Sequence, residues 1–461
     1  MTTTSEYLVS SEAGKHLDHD FTPFIQQVVQ AHELPGLSIG VVAENETVYA
    51  RGFGVQSLQS GQAVTMNTLF HLASISKPFV ATAVMQLVEQ GKIRLDAPVI
   101  AYLPYFRLDD ERFKDITVEQ MLNHVSGMPD VEDYEWGHPQ YDEGALERFV
   151  RSIAPLKLLA APGEKFAYSN MAFECLGDVI AKVSGMSFDD YVKVHILNPA
   201  GMPESTFLKP EHLPENWAAA HLRTLETFAW QGYPYNRAHG PSSTLHSNAL
   251  EMCNWAIANL NRGSFAGAQI LQSSSYNLLW TPRATVSEDR QVGLSWFLGK
   301  FHGLNTVGHG GGDTGFETLF VMLPDQRAAA VALCNLIPAP VERLALAALE
   351  CLLGQQSAPI PPYASLSVCK TLHAEGLQAA VAQWERLKKD HPDEYDFDPA
   401  QFDNLYFAVS LNRVQDAKEI ASLCANVLAG PDLKKIDDIL GGFENQAAEA
   451  VLRTIHGLEG E

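Results

Sequence analysis

The stretches that read as β-strand lie at the two ends of the first 355 residues, with a long helical region between them. Residues 37–43 and 46–53 are extended runs, and Glu44-Asn45 between them reads as a hairpin turn. Residues 293–301, 315–323 and 328–334 turn extended again, the last two parted by Pro324-Asp325-Gln326. From about 95 to 260 the chain is mainly helices and loops, with turn signals such as Ser126-Gly127-Met128-Pro129 and Ala161-Pro162-Gly163. Strands this far apart in sequence fit one layout most simply. It is an α+β fold, with one antiparallel sheet drawn from both segments, flanked by helices and interrupted by a helical insertion. An amphipathic helix over about 16–32, with Phe21, Phe24, Ile25, Val28 and Val29 at helical spacing, and a closing helix over 341–353 fit the flanks.

The expected organisation follows. Residues 1–15 form a flexible lead, 16–355 the main domain, 356–363 a linker and 364–461 a small all-α appendage. The linker belongs to Gln355-Gln356-Ser357-Ala358-Pro359-Ile360-Pro361-Pro362. Beyond it, 377–387, 402–411 and 417–428 are helical in pattern, without a clear 34-residue repeat. A composition that is 46% hydrophobic and 19% charged supports a large core. The 55 acidic against 32 basic residues leave a net charge of −23, which disfavours phosphate backbones and anionic lipid. Nucleic acid and membrane are therefore not expected partners; the plainer effect of the charge is solubility.

Six scattered cysteines lack zinc or redox spacing, the first residues lack a signal-peptide pattern, and no run of about 20 apolar residues occurs. These point to a cytoplasmic protein with reduced thiols. None of the sixteen histidines forms a His-x-x-x-His pair with a carboxylate partner on a predicted helix, so neither metal nor cofactor is expected.

Three short pieces carry chemistry. Ser74-Ile75-Ser76-Lys77 opens a helix expected over about 74–90, where residues three apart share a face. A serine hydroxyl is a weak nucleophile without a neighbouring base. Burial and the positive end of a helix both disfavour a charged amine, which pushes Lys77 toward a neutral, proton-accepting form. The pattern alone is weak, and Ser367-Val368-Cys369-Lys370 repeats it in the appendage, where it reads as surface helix. Second, in Tyr168-Ser169-Asn170 the phenol can act as general base and acid. The Asn170 amide can hold both lysine and substrate. Taken singly, this piece is an ordinary loop tyrosine. Third, Gly308-His309-Gly310-Gly311-Gly312-Asp313-Thr314-Gly315-Phe316 reads as a glycine turn at a strand entry, letting a substrate backbone approach closely. A plain tight turn is the alternative.

In this order the three pieces resemble the penicillin-recognising serine hydrolases. The likeness is nearest to the branch of class C β-lactamases, D-alanyl-D-alanine peptidases and family VIII esterases. Met121-Leu122-Asn123-His124-Val125-Ser126-Gly127-Met128-Pro129, Pro162-Gly163-Glu164-Lys165-Phe166 and Pro199-Ala200-Gly201-Met202 share it, over about residues 20–355. The resemblance implies a β-lactamase/transpeptidase-like sheet and a helical part with the site in the cleft between. It implies that Ser74 is acylated, that Lys77 and Tyr168 share the proton work and that Asn170 positions substrate. His309, Gly310 and Gly311 would line the cleft, and the backbone N–H groups of Ser74 and Gly312 would form the oxyanion hole. Such donors contribute about 3–4 kcal/mol to a transition state.

The chain departs from that pattern in two places. His309-Gly310-Gly311 stands where β-lactamases carry Lys-Thr-Gly, so a fixed charge for a substrate carboxylate is missing. Ser243-Thr244 stands where relatives often have a glycine pair; capping the following helix is the favoured role, facing the cleft the other. His124 is expected to anchor a loop, and the aromatics of 228–235 to pack in one. The expected activity is acyl-enzyme hydrolysis of a small ester, or of an amide or D-residue peptide, with weak β-lactamase action included. The alternatives are acyl transfer to a non-water acceptor, and a non-catalytic scaffold binding a protein partner, or a second copy, through the C-terminal helices.

Overall fold

The computed structural model describes residues 7–398, 402, 404–428 and 446–455. Among these, nine strands form one sheet, antiparallel at every pairing. They are β1 (Tyr7–Val9), β2 (Gly36–Ala43), β3 (Glu46–Gly54), β4 (Ala284–Ser287), β5 (Arg290–Val292), β6 (Phe297–Phe301), β7 (Leu304–Asp313), β8 (Phe316–Leu323) and β9 (Ala328–Cys334). Their spatial order is β1-β3-β2-β9-β8-β7-β6-β5-β4. N-terminal and C-terminal strands meet where β2 pairs with β9, Ala43 opposite Ala328 and Leu37 opposite Cys334. The fold is thus the antiparallel sheet with helical insertion that the strand distribution predicts.

Local chemistry explains the pieces. Glu44 and Asn45 both take positive φ (51° and 68°), the backbone of a two-residue hairpin turn that matches the twist of its strands. Residues 7–15, expected as a flexible lead, instead give edge strand β1, with Tyr7 opposite Arg51, and a helix over Ser11–His16. That helix runs on through 17–21 into α1 (Thr22–Ala31). Leu17, Phe21, Ile25 and Val28 fall on one side of this run and are buried against the sheet.

The other named helices are α2 (Ser76–Glu89), α3 (Asn170–Ser184), α4 (Ala249–Leu260) and α5 (Val341–Leu352). α1 and α5 cover one face of the sheet, over Leu37, Ile39, Ala330 and Ala332. α2, α3 and α4 belong to the core on the other face. α4 lies so close to β2 that a Cβ on Gly40 would come within 2.6 Å of Cys253 Sγ. Phe79 of α2 stacks on Trp255 of α4 with ring centroids 4.3 Å apart. Every residue of α2 from Ser76 to Leu87 is buried, as a helix apolar on all sides must be.

Residues 355–362 form neither helix nor strand. Beyond them, helices Ala364–Glu375, Leu377–Asp390, Asn404–Ser410, Val414–Val427 and Gln446–Ile455 share a third core around Trp384, Leu405, Ile420 and Cys424. They dock on the main domain near Thr224, whose carbonyl accepts from Asn404 Nδ2 at 3.0 Å and whose hydroxyl donates to Asp416 at 2.8 Å. In the second Ser-x-x-Lys, Ser367 Oγ accepts from Gln383 and exposed Lys370 pairs with Glu33. No helix among the described residues is long and apolar enough to cross a membrane.

Candidate active site

Ser74 stands in a tight turn between the short strand Phe70–His71 and α2. Ala73 just before it has φ 48°, a conformation unfavourable for any residue with a Cβ. The turn is held from three sides. Leu72 N–H donates to the Leu245 carbonyl at 2.8 Å, Ser76 Oγ donates to the Ala73 carbonyl at 2.7 Å, and Leu245 N–H donates to Ser76 Oγ at 2.9 Å. Among the described residues the Ser74 N–H makes no hydrogen bond.

Lys77 lies in the first turn of the buried helix with 0% of its surface exposed. Its Nζ is 2.9 Å from Ser74 Oγ and donates to the Ser242 carbonyl at 2.8 Å. Burial pulls its pKa down from 10.5 to about 7, against the pull of Glu174, Asp130 and Asp313. Glu174 is fully buried. It accepts from the Ser242 hydroxyl and lies 3.3 Å from His239 Nδ1. The Ser242 carbonyl reaches Lys77 because Gly177 of α3 leaves room for Pro241; a Cβ there would sit 2.1 Å from Pro241 Cγ.

Tyr168 comes from the loop ahead of α3, and its ring lies 5.0 Å from Lys77 Nζ. Burial raises the phenol pKa well above its ordinary value, and the nearby Ser74 side chain is the strongest influence opposing that rise. The ring stacks on His124 at 4.2 Å and 20°. His124 Nδ1 accepts from Ser169 N–H at 3.1 Å, and burial holds this histidine neutral. His124 therefore anchors the loop that carries Tyr168. Asn170 opens α3, but its amide faces Asp130: Nδ2 donates at 3.1 Å and the backbone N–H at 2.7 Å.

β7 supplies the opposite wall. β6 ends where Phe297 pairs with Gly308, so residues 309–313 have no strand on that side. This edge abuts the Ser74 turn. Thr318 Oγ1 donates to the Leu72 carbonyl at 3.1 Å, and a Cβ on Gly311 would lie 2.2 Å from the same oxygen. Gly311 is thus required by close approach, and exposed Gly312 follows it. The stretch 308–313 is strand rather than the turn its glycines suggest; only Thr314-Gly315, with φ 85° at Gly315, turns the chain into β8.

His309 points into the core side of β7, 2% exposed, with its ring 4.9 Å from Phe297. Burial lowers its pKa to about 3, so it is neutral and offers no charge to a carboxylate. At the end of the strand, Asp313 Oδ2 accepts from Ser243 Oγ at 2.6 Å and lies 3.2 Å from His71 Nε2. Ser243 is thus bonded to Asp313 and does not cap α4, whose cap is Asn248, accepting from Glu251 N–H at 2.8 Å. In the aromatic stretch 228–235, Tyr233 packs against His246 and Phe316.

Sequence reasoning singles out Ser74, Lys77, Tyr168 and the glycine strand, and these lie together around the turn that holds Ser74. It does not bring out Asp130, Glu174, Ser242 or the bonding of Ser243, which it singles out mainly as a cap, to Asp313 beside His71. Asp313 sits inside the third motif, and Asp130 directly follows Gly127-Met128-Pro129, which were the available signals.

A sequence model of the family described as Beta-lactamase matches residues 21–353. Among curated relatives, Unguisins hydrolase ungD' of Aspergillus campestris (strain IBT 28561) is 29% identical over 71% of this chain, which spans 63% of that protein's length. Penicillin-binding protein 4 of Amycolatopsis lactamdurans is 27% identical over 66% of this chain and 81% of its own. Among solved structures, the octameric penicillin-binding protein homologue from Pyrococcus abyssi superposes with a TM-score of 0.66 at 26% identity, covering 79% of this chain and 82% of that one. With the Ser74 turn, the buried lysine and the glycine strand lying side by side, and the family's match covering residues 21–353, the chain belongs to the Beta-lactamase family of serine hydrolases.

Proposed function

We propose that the protein hydrolyses a small ester, or an amide or peptide, through an acyl-enzyme on Ser74. The observation that carries this reading is Lys77 Nζ, wholly buried, 2.9 Å from Ser74 Oγ, with a pKa of about 7. Near neutral pH about half of such amines are unprotonated and can take the serine proton. The phenol of Tyr168 is driven the other way, so it keeps its proton and is suited to donate it to the leaving group. Lys77 is then the base of acylation and Tyr168 its acid partner. Asp130 and Asn170 hold the mouth of α3 in place, and the N–H groups of Ser74 and Gly312 receive the oxyanion.

Neutral His309 favours acyl groups without a nearby carboxylate, so simple esters and amides are preferred over penicillins. The name of the Aspergillus relative records a hydrolase of unguisins, which supports hydrolysis as the outcome of the acyl-enzyme.

The test is a substrate panel on the full-length protein: p-nitrophenyl acetate and butyrate, nitrocefin and D-amino-acid p-nitroanilides. Phosphonate labelling followed by mass spectrometry locates the nucleophile. Turnover of at least one ester or amide, an adduct on Ser74 and inactivity of Ser74→Ala are expected. Full activity of Ser74→Ala, or an adduct on another residue, refutes the reading.

A further inference from the structure

A second cavity, of about 670 Å³, lies outside the cleft, between the main domain and the C-terminal helices. Leu34, Pro35, Leu225 and Leu366 supply apolar wall, and the volume is in the range that holds small organic ligands. Two polar side chains, Arg223 and Asn404, belong to this wall. Arg223 is only 7% exposed, and its guanidinium meets neutral acceptors: Nε donates to Thr227 Oγ1 at 2.8 Å, and Nη2 to the carbonyls of His32 and Glu33 at 2.9 and 3.1 Å. Its Nη1 donates to no group among the described residues. The carboxylate acting on it, that of Glu33, is committed to Lys370 at the surface. Asn404 is 5% exposed, and its Oδ1 is buried without a donor.

A buried guanidinium without an anion is costly, and a planar carboxylate fits its free edge. The orphan Asn404 oxygen requires an O–H or N–H. We infer that this cavity is a binding site for a small carboxylate with an apolar body and one hydroxyl or amide donor, the carboxylate held by Arg223 and the donor by Asn404.

The site is distinct from the Ser74 cleft, and its test reads binding, not turnover. The probe is 3-hydroxyoctanoate, with 1,3-octanediol as the uncharged comparator, titrated calorimetrically into the full-length protein. One site per chain is expected, with the diol binding at least about tenfold more weakly, because a charge-assisted bond is lost. Arg223→Gln should weaken binding about tenfold or more. Leu366→Trp, which fills the cavity, should abolish it while leaving p-nitrophenyl butyrate hydrolysis unchanged. Equal affinity for acid and diol, unchanged affinity in Leu366→Trp, or no binding at millimolar probe overturns the inference. Should Arg223→Gln fail to fold, the diol comparison and Leu366→Trp still decide it.

Discussion

Replacing Glu174 by glutamine isolates the charge that most favours a protonated Lys77. Among the charges acting on Lys77, Glu174 comes first. It is two hydrogen bonds from the amine: Lys77 Nζ donates to the Ser242 carbonyl at 2.8 Å, and the Ser242 hydroxyl donates to Glu174. A unit charge at roughly 7 Å in an effective dielectric of about 20 is worth about 2 kcal/mol. That corresponds to about 1.5 in pKa. Glutamine keeps the shape and an acceptor for Ser242, so the ammonium loses its charge partner and little else. The wild-type kcat/KM for p-nitrophenyl butyrate should rise with pH around a midpoint of about 7, because the neutral amine is the active form. In Glu174→Gln this limb should move about 1.5 pH units to the acid side. At pH 6 the wild type then works at about a tenth of its plateau and the variant at about three-quarters. Thermal melts confirm that the variant is folded. A folded variant whose limb stays at about 7, or moves to the alkaline side, refutes Lys77 as the titrating base.

Lys77→Met tests the same amine through stability. An unfolded lysine keeps its proton to about 10.5 and the buried one loses it near 7, so wild-type stability rises with pH across that window. The charged form at pH 6 carries a penalty of up to about 5 kcal/mol; the gain in Tm from Lys77→Met should be largest there and shrink toward pH 10, and a constant gain contradicts the burial argument. Gly311→Ala drives a methyl to 2.2 Å from the Leu72 carbonyl and should cost about 2–3 kcal/mol in chemical denaturation and most of the activity. Gly310→Ala, whose Cβ would find its first neighbour at 3.7 Å, should retain far more of both. Tyr168→Phe should lower kcat about 10²–10⁴-fold while keeping the Lys77 limb in the pH profile; loss of that limb would make Tyr168 the base. His309→Gln should leave the shape of the profile between pH 5 and 9 unchanged, since the buried ring titrates at about 3.

Local patterns were readable in the chain. The hairpin at Glu44-Asn45, the apolar spacing before Ala31 and the Ser74–Lys77 turn depend on neighbours in sequence, and the structure has them where the pattern lies. The strand Leu304–Asp313 was hidden because glycine has little intrinsic β preference; its ladder to Phe316–Leu323 supplies what the residues lack. Tyr7–Val9 was hidden because three residues carry no period. The partners of Lys77 were hidden for another reason. Glu174 and Ser242 are 97 and 165 positions away from it, and nothing local marks a carboxylate that will be buried. The hydroxyl of Ser243 reads first as a cap of the following helix, and that reading fails because Asn248 does the capping.

The pairing of Gly36–Ala43 with Ala328–Cys334 carries a consequence for biogenesis. The middle of the sheet joins segments almost three hundred residues apart. On the ribosome the N-terminal hairpin must wait, with one apolar edge unsatisfied, until Ala328–Cys334 has emerged. Folding should therefore be slow and late, the nascent chain should be a client for chaperones, and truncation ahead of Ala328 should leave an aggregating product, not a smaller stable one.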